Sequence, residues 1–283
     1  NIGVSALSQQ IARLENELAI RLLQRTSRGV TPTSAGLAFY SQAQLALRHA
    51  DDAILAAREA RLSGHVSVGM APSTASVLGV PFINALRESY PDVRLHLVES
   101  LSGNLERMIN TRQLDLAIVF QQEKILRWSA RPVLEERLFL IGTHALLASL
   151  PDDPVSPDQL TTLPLIMPSQ GHGLRGRLEA VCQQHNLSVE VVADIDGLAL
   201  LMQAVRSGLG ATLQPGAAIS HLDHQALRVI GIANPVLSRP NFLVSLSDDE
   251  LTPAGLAARV ILSKVMRQLV ESDRWPGATL YVN

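Results

Sequence analysis

Apolar residues near the start of the chain recur with the period of an α-helix. They fall at i, i+4, i+7 and i+11, and they are Leu7, Ile11, Leu14 and Leu18. This spacing predicts an amphipathic helix with one apolar face. We expect Ser5 to cap the helix and Ser8, Gln9 and Arg13 to lie on its other faces near its start.

A basic turn and a short strand are predicted after this helix. Arg25–Gly29 combines two arginines with a glycine that can adopt a positive φ, and Val30–Thr31 is followed by Pro32. The order of helix, basic hairpin and strand is typical of a winged helix-turn-helix. Ser and Gln side chains at a helix start can reach base edges, and turn arginines can reach phosphates. The alternative is a helix and hairpin with a solvated arginine face.

A long helix is predicted from the Thr33 cap to about Gly64. Its apolar and small residues alternate in steps of three and four, and they are Tyr40, Ala43, Leu47, Ala50, Ile54 and Ala57. This is a heptad seam, which favours pairing with a second helix. A helix that packs on its own domain is the alternative, but the length of the element favours a dimerising linker.

Short apolar strands alternate with helices in the rest of the chain. The predicted strands are 65–70, 93–98, 114–120, 138–141, 163–167, 189–192, 211–213 and 242–246. The predicted helices are 77–90, 104–112, 174–185, 198–208 and 253–271. This order indicates α/β layers with mostly parallel sheets. About 220 residues are many for one such unit, so we expect two subdomains.

The charge of the chain is unevenly distributed. The 283 residues carry 24 Lys+Arg and 26 Asp+Glu, but residues 1–50 hold five arginines and only two acidic residues. The sequence therefore predicts a small basic head on an acidic body. An apolar fraction of 47% argues against disorder, and the single Cys182 argues against a disulfide scaffold. Without a long apolar run or a signal peptide, we expect a cytoplasmic protein.

The N-terminal motif resembles the signature of LysR-type transcriptional regulators. The matching segments are Ala6–Glu15, Leu18, Leu22–Leu23, Arg25–Thr26, Arg28–Val30 and Thr33–Gly36. Within the family, Arg28–Gly36 and Val66–Pro72 look most like nitrogen assimilation control proteins. The chain has Val4-Ser5 where the family usually carries Gln-Pro or Ser-Pro. The resemblance also implies about two more helices before this point, so we expect an N-terminally truncated chain.

The resemblance implies an α/β effector domain that is similar to two-subdomain periplasmic binding proteins. Two elements would precede this domain. The first is the remnant of an all-α winged helix-turn-helix domain, and the second is a long linker helix. The expected boundaries are 1–32 for the DNA-binding part and 33–64 for the linker. Effector subdomain I would take 65–121 with 247–283, and subdomain II would take 122–246.

Three predicted strands end in segments rich in hydroxyl groups, where α/β proteins commonly bind ligands. The resemblance places the ligand between the subdomains. One wall would hold Ser73, Thr74, Ser100 and Ser102, the other Gln170 and Asp196, and the crossover Phe120 and Gln121. We expect a small acidic or amino-acid-like effector.

The resemblance also implies that two chains pair and place two heads on promoter half-sites. We expect a homodimer or homotetramer that forms through the linker helix and the α/β domain. The expected DNA-binding residues are Ser5, Ser8, Gln9, Arg13, Arg25, Arg28 and Thr31.

Two other functions fit parts of the sequence. A stand-alone solute-binding protein would explain the α/β body, but not the basic head or the heptad helix. Gly171–Gly176 fits G-x-G-x-x-G, and Asp194 and Asp196 follow about 20 residues later, as in NAD-dependent oxidoreductases. This segment lies far from a first βαβ unit, and no candidate catalytic pair accompanies it. We therefore expect no enzyme, no cofactor and no metal site.

Overall fold

A computed structural model of the protein describes residues 3–26, 29–58, 62–120, 128–152, 154–170, 173–219, 225–233, 237–248 and 250–281. The helices are α1 (Val4–Leu18), α2 (Ser34–Arg58), α3 (Pro72–Ser89), α4 (Ser102–Asn110), α5 (Gly173–Gln184), α6 (Leu198–Arg206) and α7 (Pro253–Glu271). Two short 3₁₀ helices span Pro157–Thr162 and Gly216–Ile219.

The strands form one eight-stranded sheet and two two-stranded sheets within the described residues. The strands are β1 (Leu23–Thr26), β2 (Gly29–Pro32), β3 (Gly64–Met70), β4 (Val93–Glu99), β5 (Leu116–Val119), β6 (Ser129–Thr143), β7 (Pro164–Met167), β8 (Glu190–Asp194), β9 (Thr212–Pro215), β10 (Leu227–Gly231), β11 (Ser238–Ser245) and β12 (Ala278–Leu280).

The N-terminal head consists of α1 and the antiparallel β1–β2 hairpin. The carboxylate of Glu15 accepts the backbone N–H groups of Leu22 and Leu23 at 2.7 and 2.9 Å, which fixes the hairpin against α1. The predicted cap at Ser5 is wrong, because Gly3 is the N-cap residue and Ser5 lies inside the first turn. Arg25 belongs to β1 rather than to a turn, because the strand extends to Thr26.

The helix α2 begins where the sequence predicts. Thr33 Oγ1 accepts the backbone N–H of Gly36 at 3.0 Å, which confirms the Thr33 cap. Gly64 does not end this helix as predicted, because it is the first residue of β3. Two members of the heptad seam are largely exposed, Tyr40 at 59% and Leu47 at 68%.

The large sheet is mixed, so the expectation of mostly parallel sheets is wrong. Its order is β10-β6-β11-β5-β3-β4, and β9 and β12 also pair with β6. Only the β3–β4 and β3–β5 pairs of this sheet are parallel among the described strands. β6 and β11 run antiparallel to each other. β5 pairs antiparallel with β11, and β9, β10 and β12 pair antiparallel with β6.

Several element boundaries differ from the predicted ones. β6 spans 15 residues, whereas only 138–141 were predicted as a strand. Two strands, β10 and β12, were not predicted at all. α3 starts at Pro72, five residues before its predicted start, because a proline is well tolerated in the first turn of a helix. α7 has the predicted bounds.

The two largest of the four apolar clusters among the described residues lie on either side of the middle of the sheet, and we call them the two cores. One core includes Leu134 of β6 and Leu243 of β11, with α3 and α7 packed against it. The other includes Leu138 of β6 and Leu237, with α5 packed against it. The chain therefore passes from the first core to the second between Leu134 and Leu138 of β6, and it returns between Leu237 and Leu243, at β11. The subdomain boundaries at 121/122 and 246/247 stay predictions. Among the described helices, none has the length and apolar character needed to span a bilayer.

Candidate functional site

A cleft lies between the two cores, where β3, β5 and the neighbouring strands end. Among the predicted effector residues, Ser73, Phe120 and Asp196 line it. Arg239 and Gln214 also line it, and the sequence analysis had missed both. The cavity in the cleft measures about 30 Å³. A cavity of this size has room for ordered water but not for a ligand of several heavy atoms, so the cleft is narrow in this structure.

A buried ion pair forms the floor of this cleft. Arg239 of β11 donates from Nε to Glu136 Oε2 of β6 at 2.8 Å, and the two side chains are 4% and 0% exposed. The guanidinium also lies 3.7 Å from the ring centroid of Phe120, in cation–π geometry. Burial lowers the pKa of Arg239, and the charge and hydrogen bond of Glu136 oppose that shift. An arginine so partnered stays protonated, so the cleft has a fixed cation at its base.

Glu136 connects segments that lie far apart in the sequence. Its Oε1 accepts the indole N–H of Trp275 at 2.8 Å and the backbone N–H of Ala217 at 2.7 Å. Trp275 follows α7, whereas Ala217 lies in the 3₁₀ helix after β9. Gly216 lets these segments approach, since a Cβ there would stand 1.6 Å from the Pro276 carbonyl oxygen. The carboxylate thus fixes the position of Arg239 relative to the first core, which includes both Trp275 and Ala217.

The first turn of α3 brings hydroxyl groups to the same place. Ser73 Oγ accepts from Nη2 of Arg239 at 2.9 Å. Thr74 is fully buried, and its Oγ1 has no hydrogen-bond partner among the described residues. The same holds for Oδ1 of Asn241, two residues after Arg239. Buried polar atoms without partners are unfavourable, which makes this region receptive to a polar ligand or water.

The opposite wall of the cleft is built after β8. Asp196 is exposed and accepts hydrogen bonds from the backbone N–H and the hydroxyl of Ser169, at 2.9 and 2.8 Å. Asp196 and Arg239 both line the cleft. A ligand between these walls would therefore meet a cation on one side and an anion on the other.

The remaining predicted effector residues do not line this cavity. Thr74 is fully buried in α3. Ser100 and Ser102 are partly buried, just before α4 and at its first residue, and Gln170 is exposed after β7. Gln121 lies outside the described residues. Ser73 is predicted from the sequence because it lies in a hydroxyl-rich segment after a strand. Arg239 is not predicted, because its environment depends on Glu136, which is 103 residues away in the sequence.

The predicted DNA-binding residues of the head are distributed over α1 and β2. Ser5, Ser8 and Gln9 are exposed on α1, and Thr31 is exposed on β2. Arg13 is 79% exposed and forms an ion pair with Glu17 at 3.1 Å. The side chain of Arg25 and all of Arg28 lie outside the described part of the chain. The structure thus presents five polar side chains to solvent on the surface predicted to meet DNA.

The glycine motif that suggested a dinucleotide site lies partly outside the described residues, at positions 171 and 172. The described part, from Gly173, opens α5. Asp194, the candidate ribose ligand, accepts a hydrogen bond from Nη1 of Arg175 at 3.2 Å. Cys182 is buried in the same helix, and burial raises the pKa of its thiol.

Comparison with known proteins identifies both parts of the chain. Residues 59–267 match the model of the LysR substrate binding domain, and residues 1–37 match that of the bacterial regulatory helix-turn-helix protein, lysR family. The nitrogen assimilation regulatory protein nac of Escherichia coli (strain K12) is 33% identical over 97% of this chain and 90% of its own length. The nac protein of Klebsiella aerogenes is also 33% identical, over 96% of this chain and 90% of that protein.

Solved structures share the fold. A full-length OxyR variant from Pseudomonas aeruginosa aligns with a TM-score of 0.75 at 20% identity, covering 100% of this chain and 90% of that one. Full-length BenM aligns with a TM-score of 0.64 at 21% identity, covering 98% and 90%. These matches agree with the head, the long helix and the two-core body. The chain belongs to the LysR family of transcriptional regulators.

Proposed function

We propose that this regulator reads DNA sequence through the exposed side chains at the start of α1. The observation that supports this is the exposure of Ser5, Ser8 and Gln9 in the segment that matches the lysR-family helix-turn-helix. Gln can pair with an adenine edge in the major groove, and Ser can bond to several bases. Arg13, Arg25, Arg28 and Thr31 would contact the phosphate backbone, which supplies affinity but no sequence information.

Binding of the intact protein to the region upstream of its own gene tests the phosphate contacts. Arg28→Ala should weaken binding to specific and scrambled duplexes alike and reduce the salt dependence by about one phosphate contact. Arg206→Ala, which removes an exposed arginine from α6, is the matched control and should leave binding unchanged. A loss confined to the specific duplex would contradict the assignment of Arg28 to a phosphate.

We also propose that the cleft binds a small anionic effector with its carboxylate at Arg239 and Ser73. Nη2 of Arg239 already donates to Ser73 Oγ, and a carboxylate would receive charge-assisted hydrogen bonds at this place. An ammonium group on the same ligand would face Asp196, so amino-acid-like molecules fit both walls. Because the cavity holds only about 30 Å³, the walls must separate when such a ligand enters.

Thermal-shift screening of small acids and amino acids, followed by calorimetric titration, tests this site. A ligand that binds the cleft should lose about tenfold or more in affinity on Ser73→Ala, since one hydrogen bond to a charged group contributes about 1.5–3 kcal/mol. Ser89→Ala, which removes an exposed hydroxyl at the end of α3 and outside both the cleft and the other large cavities, is the control. Absence of any binding across a broad panel would contradict an effector role for the cleft.

We propose no catalytic activity for this chain, because it matches regulators over nearly their whole length.

We also propose that two chains of a dimer or tetramer place their heads on two DNA half-sites. The chains would associate through α2 and the α/β domain. The site of action would be the cytoplasm, where the DNA of a bacterial cell lies.

A further inference from the structure

A second concave surface lies on the first core, away from the cleft. It is formed by the first half of β6, the end of β11, one face of α7 and the segment around β12. We call it the arginine groove, since Arg131, Arg259 and Arg267 line it. Its volume of about 620 Å³ lies in the range of small-molecule sites, about 300–1,000 Å³. Arg131 precedes Glu136 by five residues on β6, so the groove and the cleft share a strand.

The charge of the arginine groove is one-sided. The described residues that line it include these three arginines and no aspartate or glutamate. Arg259 pairs with Asp248 at its edge at 2.6 Å, and Arg267 lies 3.9 Å from the exposed Glu271. The pKa of Asp248 is lowered chiefly by its hydrogen bond from Arg259, and Arg131 adds to the shift. Tyr281, which also lines the groove, donates a hydrogen bond to Glu135, a third carboxylate outside the lining. The charges that line the groove itself are therefore all positive, and the acidic groups stand at its edge.

The floor of the arginine groove is apolar. Leu243 and Met266 are nearly fully buried below it, and Val260 of α7 stands exposed at its side. An exposed valine next to buried apolar side chains leaves hydrocarbon surface that a ligand could cover. Ser245 and Ser263 contribute hydroxyl groups among the arginines.

We propose that the arginine groove is a second ligand site, which binds a small amphipathic carboxylate. The hydrocarbon part of the ligand would cover Val260 and the partly exposed Val133 and Leu280. Its carboxylate would face Arg131 and Arg267. Burial of each methylene contributes about 0.8 kcal/mol, and the arginines select the anion over neutral or cationic molecules with the same hydrocarbon part. The site is independent of the cleft, because the two share no lining residue among those described.

Calorimetric titration of the intact protein with three eight-carbon probes tests the proposal. Octanoate should bind, whereas 1-octanol should bind at least about tenfold more weakly and octylammonium more weakly still. Arg131→Gln/Arg267→Gln should weaken octanoate binding by about tenfold or more and change 1-octanol binding by less than twofold. The matched control is Arg94→Gln/Arg206→Gln, which removes two exposed arginines from β4 and α6 and should leave all three titrations unchanged.

Variants of the cleft and measurements of oligomeric state separate the competing explanations. Octanoate binding should persist in Ser73→Ala, and circular dichroism should show both double variants folded. Loss of binding in Ser73→Ala with retention in the groove variant would overturn the proposal in favour of the cleft. Equal binding of octanoate and 1-octanol, or no binding of octanoate, would also overturn it. So would a change in sedimentation of the groove variant without ligand, which would mark the groove as an interface between copies.

Discussion

The side chain that organises the cleft at the residue scale is Glu136. It is completely buried, and it holds Arg239, Trp275 and the backbone of Ala217 through separate hydrogen bonds. Forming a buried ion pair is expensive in desolvation, but losing one partner is worse, because the other charge stays buried. The hydrogen bonds of Glu136 therefore serve to hold the Arg239 side chain in one position rather than to increase the free energy of unfolding.

Replacement of this carboxylate gives a direct test of its role. Glu136→Gln should lower the free energy of unfolding by about 3–5 kcal/mol, since Arg239 then lacks its counter-ion. Urea unfolding followed by tryptophan fluorescence measures the change, because Trp275 lies in the first core. Arg13→Gln, which breaks an exposed pair in α1, should change it by less than about 0.5 kcal/mol. An equally small effect of Glu136→Gln would contradict this description of the cleft floor.

The sequence predicted the polar residues of the cleft that have a local signal. Ser73 lies in the first turn of α3, three residues after β3 ends, where the hydroxyl-rich strand end predicts it. Asp196 is placed in the cleft by the family resemblance alone. Arg239 has no such signal, because what defines its environment is a partner on another strand of the sheet. Ser100 and Ser102 have the signal but do not line the cavity, since α4 begins at Ser102 and turns beside it.

Glycine positions determine how the elements of the head meet. Gly36, in the first turn of α2, lies against the backbone of Leu22, and a Cβ there would be 2.0 Å from the Leu22 carbonyl oxygen. That carbonyl also accepts the backbone N–H of Thr33 at 2.9 Å. The close approach of α2 to the start of the hairpin thus requires a residue without a side chain.

Two glycine-to-alanine substitutions in helices should have opposite effects. Gly36→Ala should lower the midpoint of thermal unfolding of the head and weaken DNA binding, because the added methyl group collides with backbone. Gly103→Ala in α4 meets nothing within 4 Å and should raise stability by about 0.4–1 kcal/mol. Calorimetry and DNA-binding titration of both variants measure these effects. A neutral Gly36→Ala would show that α2 can move away from Leu22.

The exposed residues of α2 predict how the chain associates. Leu47 belongs to the heptad seam and is 68% exposed, so it is free to pack against a second copy of the helix. Leu47→Glu should shift the protein toward monomer in sedimentation equilibrium, because two carboxylates would face each other across the seam. Ala46→Glu, on the adjacent exposed face, should leave the association constant unchanged. Equal behaviour of the two variants would argue against pairing through this seam.

At the scale of elements, the sequence predicted helices better than strands. The helical period and the signals at the helix ends predict the bounds of α7 correctly. For α3 they predict a start at Val77, whereas the helix begins at Pro72. β6 was predicted from its apolar second half alone, because Arg131, Pro132 and the glutamates that follow interrupt the apolar pattern in its first half. Strand direction was missed, since an apolar run looks the same in parallel and antiparallel sheets.

At the scale of the whole molecule, charge and architecture agree. The basic residues are in excess within residues 1–50, which contain the head, and the acidic excess lies in the α/β body. A net charge of −2 is therefore compatible with a DNA-binding protein, because only the head has to approach phosphates. The family motif supplied this assignment from sequence, whereas the narrowness of the cleft and its buried ion pair required the structure.

The base preference of the intact protein tests the central claim most directly. Selection of binding sites from a randomised duplex library, performed with the wild type and with Gln9→Ala, reports which bases the protein reads. We predict that both proteins bind DNA and that Gln9→Ala changes the preferred base at one position of each half-site, with a discrimination of about 1–3 kcal/mol. An identical preference for both proteins would contradict the assignment of α1 as the recognition helix.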